Sequence, residues 1–191
     1  MPKGSPELVS ARKEEIIAAC ETLYQTMGFK EITIKEIADY TSFSRPSIYN
    51  YFATKEEIFL ALFELEYDRW NNDLEEILRG KRTLSVRALA EKLAKSLAAR
   101  PQLLKLLSMN LYDMEANSRM ERLVEFKVAY GKSKDALDRC LMKFCPGLGE
   151  EGRQTFLYAF LPFVYGLYPY TFVTEKQKEA MAEAGISYAY M

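Results

Sequence analysis

The segment from residue 41 to residue 55, TSFSRPSIYNYFATK, carries side chains that suit recognition better than covalent chemistry. Its polar groups include a guanidinium, hydroxyls and an amide, at Arg45, Ser47, Tyr49 and Asn50. No acidic residue lies between Asp39 and Glu56, so the positive charge of the segment has no local counterpart. Hydrogen-bond donors without carboxylates are suited to an anionic partner.

Histidine is absent from the 191-residue chain, which removes the commonest general base and a common metal ligand. Ser-His-Asp catalysis, Cys-His catalysis and His-based zinc sites are therefore excluded. The three cysteines are scattered and form no CxxC pair: Cys20, Cys140 and Cys145. Their number and spacing argue against a disulfide framework and fit a reducing cytoplasm, with redox sensing by any of them left open. The sequence predicts no metal site and no cofactor.

The composition predicts a folded chain whose partners are met by local surfaces. It is 49% hydrophobic and 28% charged, with a net charge of −1, which gives no overall attraction to nucleic acid or anionic membrane. Residues 156–173 lack charge over the length of a membrane-spanning helix. Pro162, Pro169 and scattered tyrosines favour a kinked helix buried in a bundle instead. We expect no membrane association, no signal peptide and a cytoplasmic location.

Helical periodicity recurs along the chain and strand signals are nearly absent. Capping-box patterns, in which Ser or Thr precedes Glu or Gln by three residues, predict helix starts at Thr33, Thr54, Ser118 and Thr174. Pro46 suits the first turn of a helix capped by Ser44. The predicted fold is all-α, with about nine helices: three short N-terminal helices, a long fourth helix and a C-terminal helical bundle.

Three short helices followed by a long one, with a tight turn between the second and third, are typical of a helix-turn-helix unit. In such a unit the third helix enters the DNA major groove. There the Arg45 guanidinium can bind guanine, the Ser47 hydroxyl can donate or accept a hydrogen bond, and Pro46 can contact a thymine methyl. Further contacts with the phosphate backbone are predicted for Thr33, Tyr49, Tyr51 and Lys55. Helical spacing predicts that Ile48 and Phe52 point inward while residues 45, 47 and 51 point outward.

The charges of the N-terminal region are segregated. Residues 1–55 contain seven basic and seven acidic side chains, so the region has no net charge. Every one of those acids lies at or before Asp39, and the segment proposed to read the groove carries only positive charge. This distribution is compatible with DNA binding, although a strongly basic domain would be a stronger signal.

The segment TIKEIADYTSFSRPSIYNYFATKEEIF resembles the helix-turn-helix of the TetR (tetracycline-repressor) family of transcriptional regulators. The matching features are Thr33, Ile37-Ala38, the Ile48-Tyr49-x-Tyr51-Phe52 run and Lys55-Glu56. The resemblance implies a DNA-binding domain over residues 10–70, with the helix-turn-helix at about 33–52, and an effector-binding and dimerising domain over residues 71–191. It places Thr33, Tyr49 and Lys55 at phosphate-contacting positions. It places Arg45, Pro46, Ser47 and Tyr51 at base-reading positions, with Asn50 between them. Ser44, directly before the same helix, is also predicted to contact DNA.

Two positions depart from the family pattern. The family usually has Gly in the turn where this chain has Ser42, and a positive φ there would cost a serine about 1 kcal/mol. The family also often has His where Tyr51 stands. Both departures leave the docking elements in place and the operator sequence open.

The C-terminal half carries the candidate effector and dimer residues. An apolar pocket is predicted around large side chains on the bundle helices, with plain core packing as the alternative: Trp70, Met109, Tyr112, Phe126 and Tyr130. By position, the aromatic helix 156–168 and the long helix before it resemble the family's dimer interface, which predicts contacts at Phe156, Phe160, Phe163 and Leu167. A twofold dimer is required to read two half-sites of a palindrome.

The sequence therefore predicts a DNA-binding regulator that is not an enzyme. It would be a homodimeric repressor, released from double-stranded DNA by a small apolar or aromatic effector. Repressor rather than activator rests on the family resemblance alone. Two alternatives are an enzyme in an all-α bundle, disfavoured by the absence of histidine and of phosphate loops, and a helical scaffold that keeps the fold without specific DNA binding.

Overall fold

The computed structural model describes residues 5–80, 82–109 and 111–186, and within these ranges it contains helices and no strands. The helices are α1 (Pro6–Thr26), α2 (Ile34–Asp39), α3 (Arg45–Ile48), α4 (Lys55–Arg79), α5 (Val86–Ala98), α6 (Pro101–Leu107), α7 (Leu111–Ala116), α8 (Met120–Phe144), α9 (Gly149–Thr171) and α10 (Glu175–Glu183), with a 3-10 turn over Pro146–Leu148. The all-α prediction is confirmed, with ten α-helices in the described ranges where about nine were expected.

Local capping signals set most of the helix starts. Thr33 and Thr174 form capping boxes as predicted, and Pro46 lies in the first turn of α3. The Thr54 hydroxyl accepts from the backbone N–H of Glu57 at the start of α4. The capping box predicted at Ser118 is wrong, because the Ser118 hydroxyl donates to a carbonyl of α7 and α8 begins one residue later.

A single hydrophobic core runs from α1 to α9, and the packing of α4 against α8 forms its centre. Trp70 and Phe126 are almost fully buried there, and the Trp70 indole N–H donates to the Ser96 hydroxyl at 3.0 Å. Two further polar groups satisfy each other in this interface, since the Ser133 hydroxyl donates to the Asn71 side-chain oxygen at 2.7 Å. Trp70 and Phe126 are therefore core residues, which was the alternative to lining the predicted pocket.

The aromatic helix predicted at the C-terminal end is α9, which continues through Pro162 and Pro169 to Thr171. Its buried side, formed by Leu157, Leu161 and Val164, packs on the core. Across the described ranges, no one helix combines the length and the apolar character needed to cross a bilayer. Only Pro146–Thr171 taken together with Glu175–Glu183 would qualify by length and composition, and the two are bent by 80°.

Candidate nucleic-acid interface

The first turn of α3 presents polar side chains to solvent on a buried support. Ile48 is fully buried against α2, and Phe52 is buried just beyond it, as predicted. The exposed side chains are Ser44, Arg45, Pro46, Tyr49 and Asn50, and Ser47 is half-buried. A guanidinium N–H of Arg45 donates to the Tyr49 hydroxyl at 3.4 Å, and the hydroxyls of Ser44 and Ser47 lie 3.2 Å apart. The structure thus brings six of the nine predicted DNA-contacting residues together on one surface.

Tyr51 does not belong to that surface, and the prediction that it points outward with residues 45 and 47 is wrong. Its side chain is 4% exposed, packs against Phe43 and accepts a hydrogen bond of 3.5 Å from the Arg12 guanidinium. The cause is the short length of α3, which ends at Ile48. The next residues form a turn in which the Tyr51 N–H donates to the Ile48 carbonyl at 2.8 Å, so helical spacing no longer applies at Tyr51.

The predicted phosphate contacts of the second and fourth helices already have partners within the chain. The Thr33 hydroxyl and amide both donate to the Glu36 carboxylate, and these bonds lower the pKa of Glu36. The Lys55 ammonium donates to the Phe29 carbonyl at 2.8 Å and lies 4.1 Å from the centre of the Phe29 ring. Thr33 remains exposed and Lys55 is half-buried. Lys55 therefore fastens the loop after α1 to the start of α4.

Ser42 adopts no left-handed backbone, because every non-glycine residue in the described ranges has a negative φ. The expected strain is therefore absent. The Ser42 amide and hydroxyl both donate to the Glu15 carboxylate, the hydroxyl at 3.1 Å, and this ties the turn before α3 to α1. Serine gains a hydrogen bond here that glycine could not make.

We call residues 44–51, which are α3 and the residues on either side of it, the recognition turn. Sequence reasoning missed Arg12, which lies more than 30 residues before this turn. Its guanidinium is 5.4 Å from the centre of the Phe43 ring as well as within reach of the Tyr51 hydroxyl. Arg12 thus supports the turn from behind, by a cation–π contact and a long hydrogen bond. No local pattern marks this role, since it depends on where the fold brings α1 relative to Phe43 and Tyr51, the residues on either side of α3.

The five predicted pocket residues do not surround one cavity. Tyr130 lines a groove of about 510 Å³ between α8 and α9, while Met109 and Tyr112 line a second cavity of about 450 Å³. Tyr165 borders both, and its hydroxyl lies 3.3 Å from that of the buried Tyr67. The remaining two residues, Trp70 and Phe126, are packed in the core.

A third groove, of about 650 Å³, lies between α9 and the pair α5 and α6, and its lining is apolar apart from one threonine hydroxyl. All four predicted interface residues line it: Phe156, Phe160, Phe163 and Leu167. Phe163 lies at the exposed edge, whereas the other three are half-buried against the core. Phe156, Phe160 and Leu167 therefore face a groove within the chain, whereas Phe163 lies between that groove and the outer side of α9.

Comparison with known families connects this architecture to a class of proteins. A family model described as "Bacterial regulatory proteins, tetR family" matches residues 16–62, and one described as "Tetracyclin repressor-like, C-terminal domain" matches residues 64–190. Together the two models cover most of the chain and meet inside α4. The chain belongs to the TetR family of bacterial transcriptional regulators. The predicted resemblance is confirmed.

This TetR-family protein is similar to two known transcriptional regulators. An uncharacterized HTH-type transcriptional regulator, YfiR of Bacillus subtilis (strain 168), is 34% identical over 67 residues, which is 35% of this chain and 33% of that protein. The match thus spans about a third of the length of that curated relative. A TetR/AcrR-family transcriptional regulator from Thermobifida fusca YX-ER1 superposes with a TM-score of 0.58 at 18% identity, covering 91% of this chain and 93% of that one. At that identity the superposition shows the shared fold alone.

Proposed function

We propose that this protein binds a palindromic operator in double-stranded DNA as a homodimer and represses transcription until an effector releases it. The observation that carries the proposal is the exposed polar turn of α3, which is free of acids and held on a buried support. Arg45 stands at the N-terminal end of that turn, where its fork can bind guanine in the major groove. A cytoplasmic location follows from this function.

Base reading is assigned to Arg45, Pro46 and Ser47, with Asn50 beside them, because these residues share one surface. Tyr49 holds the Arg45 guanidinium and presents its hydroxyl toward the backbone of the same DNA site. Thr33 and Lys55 add phosphate contacts on either side of this surface. Thr33 lies at the exposed start of α2, where it caps the helix and can contact a phosphate. The Lys55 ammonium donates to the Phe29 carbonyl, and its positive charge still attracts a phosphate.

The proposed domains are residues 10–70 for DNA binding and residues 71–191 for effector binding and dimerisation. The boundary falls within α4, whose 25 residues continue from one domain into the other. Because the hydrophobic core is continuous across it, the two domains share one packed body rather than a flexible linker.

The proposed dimer contact is the outer side of α9. From residue 154 to residue 174 the chain has no charged side chain. Opposite the buried side of α9 lie Thr155, Ala159, Pro162 and Gly166, small residues that let two helices approach closely. Exposed Tyr158 and Phe163 flank this strip, so the interface centres on it and only Phe163 of the four predicted residues borders it.

Sedimentation of two matched variants tests this dimer contact. Ala159→Arg places a charge and a long side chain in the centre of the strip and should give a monomer. Ala180→Arg makes the same substitution at an exposed position of α10, away from the strip, and should remain dimeric. A dimeric Ala159→Arg protein would show that the two copies meet through another surface.

The proposed effector is a small apolar or aromatic molecule bound in the C-terminal domain. The groove between α9 and the pair α5 and α6 supports this class, because its lining offers almost no polar group. Release requires only that the effector bind the conformation that does not bind DNA more tightly than the conformation that does. The difference is about 1–3 kcal/mol for a typical coupling.

Selection of genomic DNA fragments by the purified protein, followed by fluorescence anisotropy on the enriched site, tests DNA binding directly. We expect a palindromic site at about 0.15 M salt, with affinity lost in Arg45→Ala and a reduced salt slope in Lys55→Ala. Lys92→Ala, on the exposed side of α5, is the matched control for loss of a lysine charge. If no fragment is enriched over bulk DNA even at about 50 mM salt, the protein is a helical scaffold that keeps the fold without specific DNA binding.

A further inference from the structure

A buried carboxylate lies at the start of α4, directly behind the recognition turn. Glu57 is fully buried, and its oxygens accept from the Ala53 amide at 2.7 Å and from the backbone N–H of Arg119 at 3.0 Å. The Arg119 guanidinium forms a fork on the same carboxylate, with Nε at 2.7 Å and Nη2 at 2.8 Å. Burial alone would raise the pKa of Glu57, but the hydrogen bonds from Arg119 and Ala53 outweigh it and lower that pKa. The carboxylate is therefore ionised and held from both sides.

This ion pair joins the recognition turn to the start of α8. Arg119 immediately precedes α8, and its Nη2 also donates to the Tyr51 carbonyl at 3.3 Å. Beside it, the Thr54 hydroxyl donates to the Asn117 carbonyl at 2.9 Å. We call these residues the α4–α8 joint: Tyr51, Thr54, Glu57, Asn117 and Arg119. Through the joint, the segment that follows α3 is hydrogen-bonded to the loop that leads into α8.

The same helix that begins at the joint also lines the cavities of the C-terminal domain. Tyr130 and Lys134 of α8 border the groove against α9, and Lys127 borders the neighbouring cavity. A shift of α8 along or about its axis must either carry Arg119 with it or break a buried, charge-assisted hydrogen-bond network. Since Arg119 holds the Tyr51 carbonyl directly, such a shift reaches the recognition turn without any change in α3 itself.

We propose that Arg119 is a positioning residue for DNA reading, which fixes the recognition turn relative to α8 and thereby sets the spacing between the two turns of a dimer. The inference rests on the proposed function as a dimeric DNA-binding regulator. Arginine is required because its planar fork spans both Glu57 oxygens and still reaches the Tyr51 carbonyl. A lysine ammonium keeps the charge but cannot make these bonds together.

The test compares Arg119→Lys with Arg139→Ala and the wild type. Arg139 lies further along the same helix and pairs with Glu75 across the same α4–α8 interface, and both arginine side chains are 47% exposed. The DNA is the palindrome selected by the wild type, the same site with one base pair inserted or removed at its centre, and a single half-site. We expect the wild type and Arg139→Ala to lose about tenfold in affinity on altered spacing. Arg119→Lys should bind the half-site within about twofold of the wild type and discriminate among spacings by less than about threefold.

A second readout needs no DNA. Amide hydrogen exchange of residues 49–54 should be faster in Arg119→Lys than in the wild type and unchanged in Arg139→Ala. The inference is overturned if Arg119→Lys retains the wild-type spacing preference, if it weakens binding equally on every site including the half-site, or if Arg139→Ala reproduces its effects. A wild type that selects no DNA overturns the proposed function instead, and faster exchange in Arg119→Lys would then still support the mechanical link through the joint.

Discussion

Replacing Tyr51 by phenylalanine separates two roles for this side chain, base reading and support of the recognition turn. The ring is buried against Phe43, and the hydroxyl makes one hydrogen bond, of 3.5 Å, with Arg12. That distance is at the long end of the hydrogen-bond range, so its loss should lower the free energy of unfolding by less than about 1 kcal/mol. The phenyl ring fills the same space, and the recognition turn should keep its shape.

The effect on DNA binding should then be small. A side chain that reads a base contributes about 1–3 kcal/mol of discrimination, or about 5- to 150-fold in affinity, at one base pair. For Tyr51→Phe we expect affinity for the selected operator within about threefold of the wild type and no relaxed position in the half-site. Arg45→Ala provides the contrast. Its affinity for the operator should fall by about 5- to 150-fold, and its base preference should relax at one position of the half-site.

The assay pairs urea unfolding with fluorescence anisotropy on the operator and on each single base-pair substitution of a half-site. Tyr51→Ala belongs in the same series, because removal of the buried ring should cost about 3–5 kcal/mol of stability and reduce affinity on all sequences together. The reasoning is refuted if Tyr51→Phe is as stable as the wild type yet loses preference at a single base pair. Tyr51 would then reach the DNA through a rearranged turn.

Three further predictions concern α4, α8 and the residue that follows α8. Phe126→Ala should lower the free energy of unfolding by about 3–5 kcal/mol, whereas Met120→Ala, at a position of the same helix that is 70% exposed, should change it by less than about 0.5 kcal/mol in the same urea titration. At about pH 8 a thiol reagent should label Cys145 and spare Cys140, whose pKa burial raises to about 11; equal labelling rates by mass spectrometry would contradict this. Burial and neighbouring carboxylates raise the pKa of Glu64, so wild-type stability should fall as pH rises through that pKa. Glu64→Gln should therefore be more stable near pH 7 and equal to the wild type below about pH 4, as measured by urea unfolding at each pH.

Features that depend on neighbouring residues in the chain were predictable from sequence. The capping boxes at Thr33 and Thr174 and the proline in the first turn of α3 lie where the local pattern placed them. Each needs only the hydrogen-bonding groups of one turn, so the rest of the fold does not enter. The exposed turn carrying Arg45 follows from the same signals.

Features that depend on distant residues were not predictable. Ser118 fits a capping box, but the backbone there is held by Glu57, some 60 residues earlier, and Arg119 becomes the residue before α8. Trp70 and Phe126 have the size and spacing of pocket residues as well as of core residues. Only the packing of α4 against α8 distinguishes the two, since that packing buries both side chains almost completely.

The N-terminal helices are held by the C-terminal domain at a second place, which limits how they can move. The Lys105 ammonium of α6 donates to the carbonyls of Tyr24 and Met27, at 2.5 and 3.0 Å, and so caps the C-terminal end of α1, whose last turn has no basic residue of its own. With α1 held by α6 and the end of the recognition turn held by α8, the N-terminal helices cannot follow one contact without straining the other. Relative displacement of α6 and α8 would therefore strain one of these two contacts unless the N-terminal helices turn with it.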